Sequence, residues 1–407
     1  MSSSNGSSGR SAMVTVDEAD DRSGSHASWG LFIAVLALLL STGWVANHFV
    51  ALMPLISSQQ HLGAAALDAI FGIYALGLLP GLLIGGRVSD ALGRRSVALA
   101  GSTVAVVGTI AMLVSQQSDV LLIGRFVVGL GVGLTMSSCT AWASDMRGPA
   151  GAATAGALLT AGFAIGPFGA ALIVRAGHSG IRVSFVIAAV IVVSAMIAAI
   201  VAGRRVKTTA PPTSVSSAES APGPQGVAWA LSWALPLAPW VFASATLGFI
   251  TIPSRVHTTL AAPMAAGTAT LMVNGVSGLV QVLARVRNWG PHAGTAGAVL
   301  AALGYALTAA APSTMTLAFG LPLFLILGCA SGLCLRAGLI DLETTAPHRV
   351  RGGLTGIFYV VTYIGFGLPL LLTTIGSPRA SMMILTAMAV LASLTAVTRA
   401  LRLSRNR

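Results

Sequence analysis

Twelve apolar runs, each long enough to cross a hydrocarbon layer, occupy most of this 407-residue chain and leave it little freedom in how to fold. About 20 apolar residues in a helix span a bilayer core. Lipid offers the backbone no hydrogen-bond partner, so runs of that length must satisfy their own amides and carbonyls as helices. They lie at 29–53, 66–86, 96–115, 119–143, 150–174 and 181–202, and again at 227–252, 264–284, 293–311, 315–339, 352–375 and 378–398. Only 8% of the residues are charged, against about 25% in soluble domains, so the chain lacks the polar surface to cover a globule in water. The expected fold class is all-α: a polytopic membrane protein with twelve transmembrane helices in two pseudo-symmetric six-helix bundles.

The polar segments set the domain boundaries. Residues 1–28 are rich in Ser and Gly and have no apolar core of a signal peptide, so they are expected to be a disordered cytoplasmic tail. The first bundle then covers 29–202 and the second 227–398. Between them, GRRVKTTAPPTSVSSAESAPGPQG at 203–226 has the composition of a flexible linker. Residues 399–407, with Arg399, Arg402, Arg405 and Arg407, form a basic cytoplasmic tail expected to meet anionic lipid headgroups.

Charge fixes the orientation. Alternating spans leave four basic residues, Arg175, Arg182, Arg255 and Arg379, in the loops of one side and place Arg125 and Arg336 within spans; the other seventeen fall on the side of the termini. Positive charge collects on the cytoplasmic face, so both termini are expected there. The net charge of +12 is explained by this scatter, and no basic stripe with interleaved aromatics points to nucleic acid. Cys139, Cys329 and Cys334 lie in apolar stretches without metal-ligand spacing, so neither metal nor cofactor is expected. HExxH, GxSxG and phosphate-loop patterns are absent, and an enzyme is not expected.

The halves echo each other. Trp29 and Pro54 bracket the first run and Trp229 and Pro253 the seventh; GLGVG at 129–133 answers GCASG at 328–332. Arg147-Gly148 leads to Gly166-Pro167, as Arg351-Gly352 leads to Pro369. Tandem halves with a substrate path between them are one of the transporter plans.

Within this frame, GGRVSDALGRRS at 85–96 resembles the loop signature between the second and third spans of the major facilitator superfamily, matched at Gly86, Ser89, Asp90, Gly93, Arg94 and Arg95. Ala91 and Leu92 depart from it. GRFVVGLGVG at 124–133 resembles the family's fourth-span signature, with Arg125 as its arginine, and GFAIGPFGA at 162–170 the fifth-span signature frequent in its drug–proton antiporters. The resemblance implies a gate latch at Gly86, Asp90, Gly93 and Arg94, and a usually monomeric protein. By spacing, Arg87, Asp90 and Arg94 share a helix face and can pair. Pro167 and Pro369 each remove a helix hydrogen bond, and with Gly166 they are hinge candidates.

Polar groups at membrane depth mark function because lipid makes them expensive. No acidic residue sits mid-span, where proton-driven relatives often hold a carboxylate. Asn47 and His48 are the nearest substitutes, His48 being able to change charge near neutral pH; a packing role for the histidine is the alternative. Arg125, Tyr74, Trp240, Asn274, Tyr359 and Tyr363 complete the candidates for substrate or proton handling. The expectation is a secondary active transporter of a bacterial plasma (inner) membrane, moving a small molecule by alternating access through proton-coupled efflux. A facilitator or uptake permease for a neutral or anionic metabolite is the alternative.

Overall fold

A computed structural model describes residues 8–175, 177, 179–205, 226–347 and 350–405. Twelve helices in it are long and apolar enough to cross a membrane: α1 Ser28–Gln60, α2 Ala64–Leu92, α3 Arg94–Val114, α4 Ser118–Gly148, α5 Ala150–Val174, α6 Gly180–Arg204, α7 Val227–Arg255, α8 Ala262–Val286, α9 His292–Ala310, α10 Leu317–Thr345, α11 Gly353–Ile375 and α12 Pro378–Arg405. They run up and down in two sets of six. The short turns 61–63, 115–117 and 256–261 lie at one end; Gly93 and 287–291 lie at the other, where α1 begins and α12 stops.

The turns follow from their residues. Gly93 has φ 88°, a conformation open to glycine at little cost, and separates α2 from α3. Gly148, at φ 60°, breaks what is otherwise a continuous helix from Ser118 to Val174 into α4 and α5. Ahead of α1 the helix is continuous from Ser8, through the segment expected to be a disordered tail. Extending a formed helix costs far less than nucleating one, which is the physical reason it runs on. The expected linker begins as the last turn of a helix ending at Arg205, and 206–225 lie outside the described residues.

Glycines let the helices of the first half touch backbone to backbone. Gly77 and Gly81 of α2 face the α4 carbonyls of Phe126 and Leu130, and Gly129 and Gly133 of α4 face those of Tyr74 and Leu78. Gly162 of α5 meets Leu40 and Gly43 of α1 in the same way. A Cβ at any of these sites would drive the pair apart. The outward surface carries Leu76, Ile84, Val114, Ile123, Val190, Met383 and Leu394, a belt of exposed apolar side chains that suits lipid and not water.

The second half contains an ion pair that corrects one expectation. Arg399, placed on sequence in a lipid-facing tail, is buried: α12 continues to Arg405 and turns this side chain inward. Its Nη1 and Nη2 donate to the two oxygens of Asp341 on α10 at 2.7 and 3.0 Å, and further to the carbonyls of Trp233 and Pro291. A fork-shaped guanidinium meeting a carboxylate with both arms is stronger than a lone lipid contact, and it ties α7, α9, α10 and α12 together. Arg402, one turn on, donates to the Ser232 carbonyl, which Pro236 leaves without its helical donor.

Candidate functional site

The two halves meet along α2 and α11 and along α5 and α8. At the end away from the termini, Phe71 of α2 stacks on Phe366 of α11 with ring centroids 5.1 Å apart and planes 12° off parallel, and sits edge-on to Phe249 of α7. Phe366 also touches Phe242, Tyr363 and Tyr74. Each such pair adds about 0.5–1.5 kcal/mol beyond burial. Toward the terminus-bearing end the contact is aliphatic, with Leu83 against Gly356.

Among the described residues, two side-chain hydrogen bonds join the halves. One runs from Thr373 of α11 to the Asp68 carboxylate of α2, 3.0 Å. The other is central and explains a motif. Pro167 has no N–H, so the carbonyl four residues earlier, Phe163, loses its helical donor. The Nδ2 amides of Asn47 on α1 and Asn274 on α8 supply the replacement, at 3.1 and 3.3 Å. The second half solves the same problem differently: Pro369 removes the helical donor of Gly365, the Leu368 N–H replaces it through a 3-10 turn, and Thr246 of α7 lies 3.0 Å from the same carbonyl. Pro167 leaves α5 helical, whereas the chain before Pro369 tightens to a 3-10 turn at Gly365–Gly367.

This arrangement gives a prediction. Pro167→Ala restores the helical donor to Phe163 and leaves the two asparagines competing for an occupied acceptor. In the native background Asn274→Ala removes one neutral hydrogen bond, about 1 kcal/mol. In the Pro167→Ala background the same change is expected to have less than half that effect. Melting of the four proteins of this cycle in detergent measures the coupling.

Arg125 occupies the heart of the first half. Its guanidinium is fully buried, 4.9 Å from the Phe49 ring centroid and 4.5 Å from that of Tyr74. Nη1 donates to the Ala46 carbonyl at 2.9 Å, next to the irregular turn at Asn47–His48. Among the described residues Nε and Nη2 have no partner, nor do the Tyr74 hydroxyl, His48 Nε2 and the Trp44 indole N–H. His48 is itself fully buried, with Nδ1 3.0 Å from the Val45 carbonyl and its ring edge-on to Phe185 of α6. Burying a charge without a counter-charge costs several kcal/mol; cation–π contact returns about 2 and a charged hydrogen bond about 1.5–3.

The candidates chosen on sequence therefore fall into groups. Tyr74 and Arg125 touch, and Arg125 reaches the α1 backbone beside Asn47 and His48. Asn47 and Asn274 converge on Phe163. Tyr359 and Tyr363 lie 6.5 Å apart, and Tyr363 joins the aromatic cluster. Trp240 stands apart, tilted over Tyr305, which shares a hydrogen bond with Ser244. Sequence reasoning missed Asp68, Thr373, Phe71 and Phe366; the signal was there for Asp68, an acidic residue set in an apolar run.

The loop cluster is closed within its own half. Arg94 pairs with Asp90 at 2.5 Å and with Asp145 of α4 at 2.9 Å, and Nη1 reaches the Ser89 hydroxyl at 2.7 Å and the Gly86 carbonyl at 3.5 Å. Gly93 supplies the turn. Arg87 is exposed and takes no part in the described ion pairs. The carboxylates are more than half exposed, so solvent screens them, and Asp90→Ala is expected to change stability by less than about 1 kcal/mol. If this cluster serves as a latch, the transport rate will change more than the melting temperature does.

Comparison with known proteins places this geometry in context. Residues 31–369 match the family model described as Major Facilitator Superfamily. Over 98 residues the chain is 31% identical to the Multidrug resistance protein MdtL of Klebsiella pneumoniae (strain 342), covering 24% of each chain. It is 30% identical to the protein of the same name from Escherichia coli O139:H28 (strain E24377A / ETEC), covering 24% of this chain and 25% of that one. The chain thus matches about a quarter of the length of these curated relatives. The fold is similar to that of the POT family transporter PepTSo, with TM-score 0.71, 13% identity, and coverage of 91% of this chain and 97% of the other. A POT family transporter in complex with a thioalcohol conjugated peptide gives TM-score 0.74 at 12% identity, covering 93% and 96%. At such identity the likeness is one of fold.

Proposed function

The chain belongs to the major facilitator superfamily, and on that premise we propose that it exports a small molecule across a bacterial plasma membrane by alternating access, in exchange for protons. The observation that carries this reading is the interface between the halves. It is made of aromatic contact, aliphatic contact and two hydrogen bonds, with no ion pair across it among the described residues. Such a contact can open and close without separating buried charges. Both termini and the Arg94 cluster face the cytoplasm, and the aromatic end closes the outer side. Gly166, Pro167 and Pro369 supply the flexing points, each proline having a side chain from a neighbouring helix on the carbonyl it frees.

Export is supported by the partial similarity to multidrug resistance proteins and by the GFAIGPFGA segment. The charge at depth bears on the solute. Arg125 is a fully buried cation, and the described mid-span residues offer no carboxylate to a cationic drug. Neutral or anionic aromatic compounds suit the site better, which keeps uptake of such a solute as the second reading.

Direction is decided in cells. An efflux-deficient bacterium producing the protein is incubated with neutral, anionic and cationic fluorescent aromatics. Lower accumulation of a neutral or anionic dye than in cells producing Arg125→Met supports export. Higher accumulation overturns export in favour of uptake.

A further inference from the structure

Asp68 sits where the two halves close, and among the described residues no cation pairs with it. Its side chain is buried, with 5% of the residue exposed, and Thr373 is its hydrogen-bond partner. That one hydroxyl also lies 3.0 Å from the Pro369 carbonyl and 3.1 Å from that of Leu370. A threonine has a single hydrogen. If it goes to Asp68, it is withheld from the helix carbonyls.

The surroundings make a charge here worse. Thr373 lies in the last turn of the Leu368–Ile375 segment of α11, whose terminal carbonyls carry partial negative charge. Among the described residues, the elements around the carboxylate bring no cation to it. The Leu368–Ile375 segment has no titratable side chain. His61 ends α1, Asp119 opens α4 and Arg379 opens α12, all three exposed, and none pairs with Asp68. Arg255 at the end of α7 is committed to the carbonyls of Ala311 and Pro312, and His257 follows it in the loop. Tyr74 and Arg125 lie deeper, against each other.

We propose that Asp68 is a proton-binding site of the outer gate, carrying its proton when the halves are closed and releasing it to the outer solution when they part. In the closed gate the protonated carboxyl donates to Thr373 Oγ, and the Thr373 hydrogen passes to the Pro369 carbonyl. Each group then has a partner and no charge is buried. In the open gate water solvates the carboxylate and the proton leaves. The proton is bound more tightly in the closed state, so linkage requires that acid favour closure and that alkali favour opening. This site gates the cycle from the outer solution; it does not require a proton to cross the membrane. It rests on the alternating-access reading.

The test places spin labels at Ala64→Cys and Thr374→Cys, exposed positions on either side of the gate, in the full chain in nanodiscs, and follows their separation by pulsed electron resonance from pH 4 to 9. The native cysteines 139, 329 and 334 are replaced by serine or alanine. The short-distance population is expected to rise on acidification, by about tenfold relative to the open population per pH unit near the midpoint for one proton. Asp68→Asn, neutral at every pH, is expected to stay closed throughout. Thr373→Val, which removes the donor to the charged form and the acceptor of the protonated one, is expected to lower the closed population at neutral pH. A separation insensitive to pH in the otherwise native protein, or an unchanged response in Asp68→Asn, overturns the proposal. Should Asp68→Asn not fold, Asp68→Ala takes its place, and an unchanged acid response in it overturns the proposal. The labels report whether or not a solute is known, so absence of transport in a separate assay would count against the transporter reading and not against this site.

Discussion

Arg125→Met is expected to abolish transport while leaving the protein folded. Methionine fills much of the volume between Phe49 and Tyr74 but removes the cation and its bond to the Ala46 carbonyl. Two guanidinium nitrogens already lack partners, so removing the charge relieves a desolvation cost, and stability is expected to be equal or slightly higher. Transport is another matter. If the change between states draws on the charged hydrogen bond and the cation–π contacts, about 3 kcal/mol is lost, a fall on the order of 100-fold in rate. Arg125→Lys separates charge from shape. It keeps the cation but not the planar fork that reaches Ala46 while facing two rings, so it is expected to recover little of the activity. Transport by Arg125→Met at the native rate would remove the residue from the mechanism.

Arg399→Ala is expected to be the most destabilising change in the second half. It leaves the Asp341 carboxylate buried without its two donors and frees the carbonyls of Trp233 and Pro291. Breaking one partner of a buried pair costs about 3–5 kcal/mol, which for a six-helix bundle of this size lowers the melting temperature by roughly 6–20 °C. Removing both charges together, in Asp341→Leu with Arg399→Met, is expected to recover much of that loss, since no bare charge remains. Thermal melting followed by tryptophan fluorescence measures it, Trp233 being in contact with Arg399.

These two arginines show how far the sequence could be read. Arg125 was evident because a cation within an apolar run violates the cost of burial, and that violation is local. Arg399 stood in a basic stretch at the end of the last span, and its partner Asp341 lies 58 residues earlier; only the packing of both α12 and α10 against α9 brings them together. The same holds for Asp68 and Thr373, separated by 305 residues and joined across the halves. The twelve helices themselves were legible because hydropathy and length decide them one at a time. Asn47 and Asn274 were picked out as polar groups at depth, but their shared acceptor is a backbone carbonyl, which no side-chain pattern displays. A signal existed even there. A proline at 167 implies a bare carbonyl at 163, and a bare carbonyl in lipid implies a donor nearby.

The measurement that tests the central claim most directly is solute flux in liposomes. Purified protein is reconstituted with a pH-sensitive dye inside, a pH gradient is imposed, and radiolabelled neutral, anionic and cationic aromatics are added in turn, with Arg125→Met and empty liposomes run beside it. The account predicts saturable movement of a neutral or anionic compound, accompanied by a proton signal of opposite direction and absent in Arg125→Met. No difference from Arg125→Met or from empty liposomes for any compound, with the protein folded, would contradict it.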